Sequence, residues 1–253
     1  MHKVLPVRYR LRLLDACDSR TLSLSAWAVN KTDIPVDGID SFDQLFALGD
    51  ELPIWVLGTE QSLLPNGPAK VTLGKVEKYN GCDGSSPVVQ DTLPLQGLLM
   101  QPGERYDALI DFTNWTGYDV YLINTGPDEP FKNFGLVDET NRATWETLGQ
   151  LMKFDVSLAP ESDADTKDVS TAPDDLCFDA APGGVAVPDR VDNTRTVYLK
   201  EEVTGPVDLG PFAAVLDNVE DDPEIGKGWA KPITENIKLD AVEDWDIVNL
   251  SGK

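Results

Sequence analysis

The sequence predicts an all-β protein, a sandwich of many short strands. Three observations indicate this: helical periodicity is nearly absent, short alternating runs of apolar and polar residues dominate, and Pro, Gly, Asn and Asp separate those runs. Residues 7–13 and 21–27 alternate strictly, which is typical of strands buried on one face. Many short strands at this spacing favour a sandwich or a barrel.

Further strands are predicted over the rest of the first 158 residues. The continuous apolar run at 52–58 indicates an interior strand, with Pro53 at its entry. Between two of the strands, Pro102 and Gly103 predict a type II turn, whose third residue needs a positive φ. The other predicted strands are residues 70–73, 93–100, 105–112, 119–124 and 151–158.

Two short helices are expected in addition to the strands of the sandwich. The first covers about residues 40–48, where Phe42, Leu45 and Phe46 fall on one helical face. The second covers about residues 140–148 and would be capped by Thr140 or Asn141.

The composition changes after the first 158 residues. Residues 159–193 are rich in Pro and Asp, which predicts an acidic linker with little core of its own. Strands then resume at 195–201, 212–218 and 244–250. Three strands do not close a sandwich, because two faces of a sheet need to be buried.

The charge excludes some classes of partner. The chain carries 44 acidic and 21 basic residues, a net charge of −23. Nucleic acid and anionic membrane surfaces both attract basic proteins, so neither is an expected partner. No run approaches the roughly 20 apolar residues of a membrane span, and residues 1–6 lack the apolar core of a signal peptide.

Few residues offer metal or nucleophilic chemistry. Cys17, Cys82 and Cys177 form no CxxC pair, so they give no zinc or iron–sulfur spacing. One disulfide with a free thiol and three separate thiols both remain open. The single histidine, His2, lies at a terminus expected to fray.

Several phrases resemble the multicopper oxidases of the spore-coat laccase and bilirubin oxidase type. Residues 7–24 are similar to the strand that opens the second domain of that family, and residues 102–112 to its phrase "PgERyDvliDF". The resemblance continues at residues 58–65 and 151–156, and, for the entry to the third domain, at 194–199, 214–218 and 234–250.

This resemblance implies a cupredoxin-like Greek-key β-sandwich. Residues 1–158 would form the family's second domain, 159–193 the acidic linker, and 194–253 the opening strands of a further, incomplete cupredoxin-like domain.

The family's copper ligands are missing from this sequence. A blue copper site needs two imidazoles and a thiolate, and the trinuclear cluster needs many more imidazoles. With one histidine, neither site can form, so no catalytic, cofactor-binding or metal-binding residue is predicted, and copper belongs to the parent family alone. Glu60, Gln61 and Ser62 replace the family's "DGg", and Asp15, Asp18 and Asp217 stand where the family tends to have asparagine.

Other catalytic devices find no support. The sequence has no GxSxG elbow and no phosphate-cradling loop. The pairs Asp174–Asp175 and Asp221–Asp222 are interpreted as solvated acidic surface rather than calcium ligands. Arg105 and Asp107 stand where the family has a buried structural pair, so we expect them to pin turns.

The resemblance implies an architectural middle domain that is inactive alone. A full-length parent would oxidise phenolic or similar substrates, reduce oxygen to water, and follow the family in being extracellular or on the cell surface. One alternative is a non-enzymatic cupredoxin-like scaffold or binding module in a larger assembly. Another is a split oxidase, in which missing flanking cupredoxin domains are supplied by partner chains that pair with exposed strand edges.

Overall fold

The computed structural model describes residues 1–64, 67–79, 86–130, 135, 137–157, 189–202, 213–217, 230, 232–233 and 235–250. The chain divides into two compact units, Met1–Pro182 and Gly183–Lys253. Most of the predicted linker lies outside the described residues, as do Cys82, Cys177 and the pairs Asp174–Asp175 and Asp221–Asp222.

The first unit is a two-sheet β-sandwich, which confirms the predicted fold class. Its described strands are β1 (His2–Val4), β2 (Arg8–Leu14), β3 (Leu22–Asn30), β4 (Asp50–Leu52), β5 (Ile54–Thr59), β6 (Ser62–Leu63), β7 (Ala69–Thr72), β8 (Lys75–Lys78), β9 (Val88–Asp91), β10 (Leu98–Met100), β11 (Arg105–Asp111), β12 (Tyr118–Asn124) and β13 (Gln150–Val156).

The two sheets draw their strands from distant parts of the chain. One has the order β1-β13-β12-β3-β10, with β4 beside β3, and the other has the order β2-β11-β5-β7-β8-β9, with β6 beside β5. Strands β1 and β13 are parallel, whereas the other pairs of this unit are antiparallel. The first and the last described strands of this unit therefore lie side by side at one edge of the first sheet.

The core lies between the two sheets. Alternate residues of β3 and of its neighbour β12 point into it, and β11 of the other sheet supplies the facing side chains. Phe112 is fully buried between Tyr9 and Phe154, with ring centroids 5.6 and 5.3 Å away. The buried members from these three strands are Leu22, Leu24, Ala26, Ala28, Ala108, Ile110, Val120 and Leu122.

A second apolar cluster covers the outer face of the β3–β12 sheet. Helix α1 (Phe42–Leu48) begins after Ser41, whose hydroxyl accepts a hydrogen bond from the backbone N–H of Gln44 at 3.3 Å. Leu45 of this helix is fully buried in a cluster with Val29, Ile123 and Trp145. This cluster therefore covers the outer face of β3 at Trp27 and Val29, whereas the hydroxyl of buried Ser23 bonds to Leu95 and Gly97.

Several sequence predictions need correction. The helix expected at 140–148 is a π-helical turn over Trp145–Gly149 that follows Thr144. The strand expected at 93–100 covers only the three residues of β10. His2 is not frayed, because it pairs with Phe154 in the β1–β13 ladder. The predicted turn is confirmed: Gly103 has a φ of 84°, and the N–H of Glu104 donates to the carbonyl of Gln101 at 3.0 Å.

The second unit holds a three-stranded sheet among its described residues. Strands β14 (Asn193–Glu202), β15 (Ala213–Asp217) and β16 (Glu243–Asn249) have the order β15-β14-β16. The β14–β15 pair is antiparallel, whereas β14 and β16 are parallel. In the described part of the chain, no helix is long and apolar enough to cross a membrane.

Candidate functional site

The sheet of the second unit presents an exposed apolar surface. The ladder places Trp245 beside Arg195, Ile247 beside Val197, and Leu216 beside Leu199, so these residues share one face. Ile247 is 66% exposed and Leu216 50% exposed, although both belong to regular strands. We refer to Leu199, Leu216, Trp245 and Ile247 as the open face.

Polar contacts at one end of the open face hold β16 in place. The guanidinium of Arg195 donates from Nε and Nη2 to the two carboxylate oxygens of Glu243, at 2.6 and 3.1 Å. Glu243 also accepts a hydrogen bond from the indole N–H of Trp245 at 3.1 Å. The hydrogen bond from Arg195 lowers the pKa of Glu243 and raises the pKa of Arg195, so this pair stays ionised near neutral pH.

The open face is suited to packing rather than to chemistry. Among the described strands, β16 lies at the edge of its sheet, and its residues after Glu243 are exposed on both faces, including Val248. Contiguous apolar surface of this kind indicates a surface that another protein element covers. Aligned packing of a second sheet is the arrangement that buries such a face in β-sandwich proteins.

The alternation in residues 244–248 was the available sequence signal for this surface. Acidic Asp244 and Asp246 alternate with apolar Trp245 and Ile247, and apolar Val248 then falls on the face of the two aspartates. The pattern predicts one apolar face, but it does not reveal whether the same chain covers that face.

The structure disperses the residues that sequence reasoning weighed as metal ligands. His2 is exposed on β1, and Cys17 is a free, half-buried thiol. Burial, with a smaller effect of the neighbouring Asp15, raises the pKa of Cys17 and keeps it protonated at neutral pH. In the described ranges, no group of three or more His, Cys, Asp or Glu side chains is placed to hold a metal ion.

Arg105 and Asp107 do not form the buried pair expected from the resemblance. Arg105 is half exposed and binds Glu60 at 2.5 Å, while Asp107 binds Arg10 across the β2–β11 ladder. Arg105 does pin a turn, because Glu60 lies at the tip of the β5–β6 hairpin with a φ of 55°. The partners were missed because both contacts depend on cross-strand register, which the sequence does not reveal.

Comparison with known proteins adds a consistent set of relatives. No protein-family model matches the chain. The chain is 26% identical to a laccase of Bacillus subtilis (strain 168) over 250 residues, 98% of its length and 33% of the laccase. It is 30% identical to a laccase of Bacillus stratosphericus over 155 residues, 61% of the chain and 24% of that protein. A rice protein, multicopper oxidase LPR1 homolog 5, is 24% identical over 97% of the chain and 28% of its own length.

Solved structures of the same kind also match. A multicopper oxidase of Campylobacter jejuni, described as a metallo-oxidase, matches 96% of this chain and 37% of its own with a TM-score of 0.43 and 14% identity. The chain thus spans about a third or less of the length of the curated relatives it matches.

Proposed function

We propose that this chain, a member of the multicopper oxidase family, is a copper-free architectural segment of a larger oxidase, equivalent to the middle domain and the opening strands of the next. Its role is to hold copper-bearing domains at a fixed separation. The larger protein would oxidise phenolic or similar substrates and reduce oxygen to water.

The open face is the observation that carries this proposal. Its four apolar side chains lie on a sheet with three described strands, and three strands cannot bury both faces of a sheet alone. Further strands that pack on it would complete a second sandwich. Because the relatives are about three times longer than this chain, they contain enough additional sequence to supply such strands.

The small number of side chains that could bind copper supports the same proposal. Copper sites in this family require several imidazoles and a cysteine thiolate, and oxygen ligands serve these metals poorly. The sequence has one histidine, His2 on β1, and the described cysteine, Cys17, is a protonated thiol in the segment between β2 and β3. Copper chemistry would therefore come from additional domains of the same protein or from partner chains.

An oxidation assay tests this function. The purified chain is incubated with excess copper, and oxidation of a laccase dye is followed with the Bacillus subtilis laccase as positive control. We expect the wild type and His2→Ala to oxidise the dye at the same rate. That rate should equal the rate measured with copper in buffer without protein. Turnover above that background, abolished by His2→Ala, would overturn the proposal.

A further inference from the structure

We propose that a groove at one end of the β2–β11–β5 sheet binds the carboxylate of a small organic acid, with the Arg12 guanidinium as its anchor. The groove has a volume of about 500 Å³, within the range of small-molecule sites. It lies in the first unit and does not involve copper or the open face.

The groove is locally basic in an acidic protein. Three arginines, Arg10, Arg12 and Arg105, line it together with two carboxylates, Glu60 and Asp107. The whole chain carries a net charge of −23. A local excess of positive charge against that background attracts anions to this one surface.

Internal partners occupy two of the three guanidinium groups. Arg10 donates to both carboxylate oxygens of Asp107, from Nε at 2.8 Å and from Nη2. Arg105 donates from Nη1 to the carbonyl of Gly103 at 2.8 Å and pairs through Nη2 with Glu60 at 2.5 Å. Neither group has its full set of donors available to a ligand.

Arg12 is the guanidinium with free donors. It lies directly opposite Asp107 in the β2–β11 register, yet both oxygens of that carboxylate already bind Arg10. Among the described residues, the exposed Arg12 side chain has no hydrogen bond or ion pair. A planar guanidinium with its donors free matches a carboxylate through two parallel hydrogen bonds.

The register also explains the shape of the groove. One row across the sheet runs from Arg12 through Asp107 and Gly58 to Leu63. A Cβ at Gly58 would lie 2.5 Å from the carbonyl oxygen of Ser62, so the close approach of β6 leaves no room for a side chain at this position. Exposed Leu63, at 40%, and Leu14, at 59%, give the groove apolar walls. The expected ligand therefore has a small apolar body beside its carboxylate.

The wall formed by Glu60 is fixed before any ligand binds. The N–H of Glu60 donates to the carbonyl of Arg105 at 2.9 Å, and the Glu60 carboxylate accepts from the Arg105 N–H at 3.1 Å. These contacts hold Glu60 at a positive φ, a conformation that is unfavourable for a residue other than glycine. Because Glu60 is already held in place, less conformational entropy is lost when a ligand binds.

The charge balance favours a carboxylate over a phosphate. Three guanidinium groups against two carboxylates leave an excess of one positive charge. A monoanion matches that excess, whereas a dianion would also meet repulsion from Asp107 and Glu60.

Benzoate is the probe for this proposal. Heteronuclear NMR titrations with benzoate, acetate, benzylamine and inorganic phosphate would be made on the wild type and on Arg12→Gln, Arg12→Lys and Lys78→Gln. Lys78 is exposed on β8 and is not among the groove residues, so Lys78→Gln controls for the loss of one positive charge.

We expect saturable binding of benzoate with shifts confined to the groove, and weaker binding of acetate, phosphate and benzylamine. Arg12→Gln should weaken benzoate binding about tenfold, the loss of one charge-assisted pair. Arg12→Lys should fall between Arg12→Gln and wild type, and Lys78→Gln should change little. Equal weakening by Arg12→Gln and Lys78→Gln, no saturation with benzoate, or tighter binding of phosphate would overturn the proposal.

Discussion

The side-chain carbonyl of Asn124 accepts hydrogen bonds from the backbone N–H groups of Ser23 and Gly126, each at 2.8 Å. Asn124, Ser23 and Thr125 are all fully buried. The hydroxyl of Thr125 adds a 2.6 Å bond to the carbonyl of Leu95. This polar cluster joins the end of β12 to the start of β3 within the apolar sandwich.

Asn124→Ala should therefore be strongly destabilising. Two buried N–H groups lose their acceptor, and we expect the free energy of unfolding to fall by about 2–4 kcal/mol. Urea unfolding followed by fluorescence measures the change. Asn30→Ala is the matched control, since Asn30 also accepts two hydrogen bonds from Thr32 but in an exposed turn. Equal effects of the two substitutions would contradict the assigned role.

An ion-pair cluster on the same sheet gives a pH dependence. Lys31 binds the carboxylate of Asp155 and lies 3.8 Å from Asp119, which also pairs with Lys153 at 2.6 Å. The hydrogen bond from Lys31 lowers the pKa of Asp155 below that of a free aspartate. The resulting stabilisation is complete above the unfolded-state pKa and is lost as the pH falls through the folded-state pKa.

Asp155→Asn should accordingly lower the melting temperature at pH 7. The difference from wild type should shrink as the pH falls below about 4, where the Asp155 carboxylate of the unfolded chain takes up a proton, and should disappear below the lowered pKa of the folded protein. Thermal unfolding between pH 7 and pH 2 measures this, with exposed Asp37→Asn as control. A difference between Asp155→Asn and wild type that stays constant over the whole range would show that the ion pair contributes no stability.

The strands that sequence reasoning found are those that carry buried or half-buried apolar side chains. Alternation predicted β2 and β11 within about one residue, because one face of each packs on the core. The short strands β4, β6, β8 and β9 were missed. All four residues of β9 are exposed, so no apolar pattern marked that strand. Strand β1 was missed because its partner β13 lies at the far end of the unit.

The second helix shows how packing overrides local preference. Trp145 is buried against Phe42, with ring centroids 5.3 Å apart, and its indole N–H donates to the carbonyl of Ile39 at 3.1 Å. A Cβ at Gly149 would lie 2.7 Å from the Phe42 ring. The conformation of this turn therefore depends on contacts with α1. The helix propensity of residues 140–148 carries no information about those contacts.

Those contacts make Trp145 a sensitive position. Trp145→Ala should cost about 3–5 kcal/mol of unfolding free energy, because a buried aromatic side chain is replaced by a cavity. Trp145→Phe should cost about 1–3 kcal/mol, since it keeps much of the ring packing but leaves the Ile39 carbonyl without its donor. Denaturant titration distinguishes the two. Ile247→Ala, on the open face, should change stability by less than about 1 kcal/mol because Ile247 is 66% exposed, and a larger loss there would show that the open face is covered within this chain.

Asp15 offers the opposite case, a position where substitution should stabilise the protein. Its Oδ1 accepts from the N–H of Cys17 at 2.9 Å, whereas Oδ2 is buried without a hydrogen-bond partner among the described residues. Asn at this position removes the buried charge and supplies a donor. We expect Asp15→Asn to raise the free energy of unfolding by about 1 kcal/mol. Exposed Asp18→Asn is the control, and a loss of stability in Asp15→Asn alone would refute this explanation.

The candidate sites were less predictable than the fold for a physical reason. Arg12 and Asp107 are 95 positions apart in the sequence. Only the β2–β11 register shows that Arg10 binds the Asp107 carboxylate and leaves Arg12 without it. The exposure of Ile247 depends on what covers β16, which is a property of the tertiary structure. The prediction that this chain holds no copper site, by contrast, rests on the count of one histidine.

The most direct test of the central claim is the copper content of the purified chain. The protein would be loaded with Cu(I) and with Cu(II), freed of weakly bound metal by gel filtration, and measured by elemental analysis and visible absorption. We expect no retained copper and no blue band, for wild type and Cys17→Ser alike. Stoichiometric copper with a blue band that Cys17→Ser removes would contradict the claim and place a copper site within this chain.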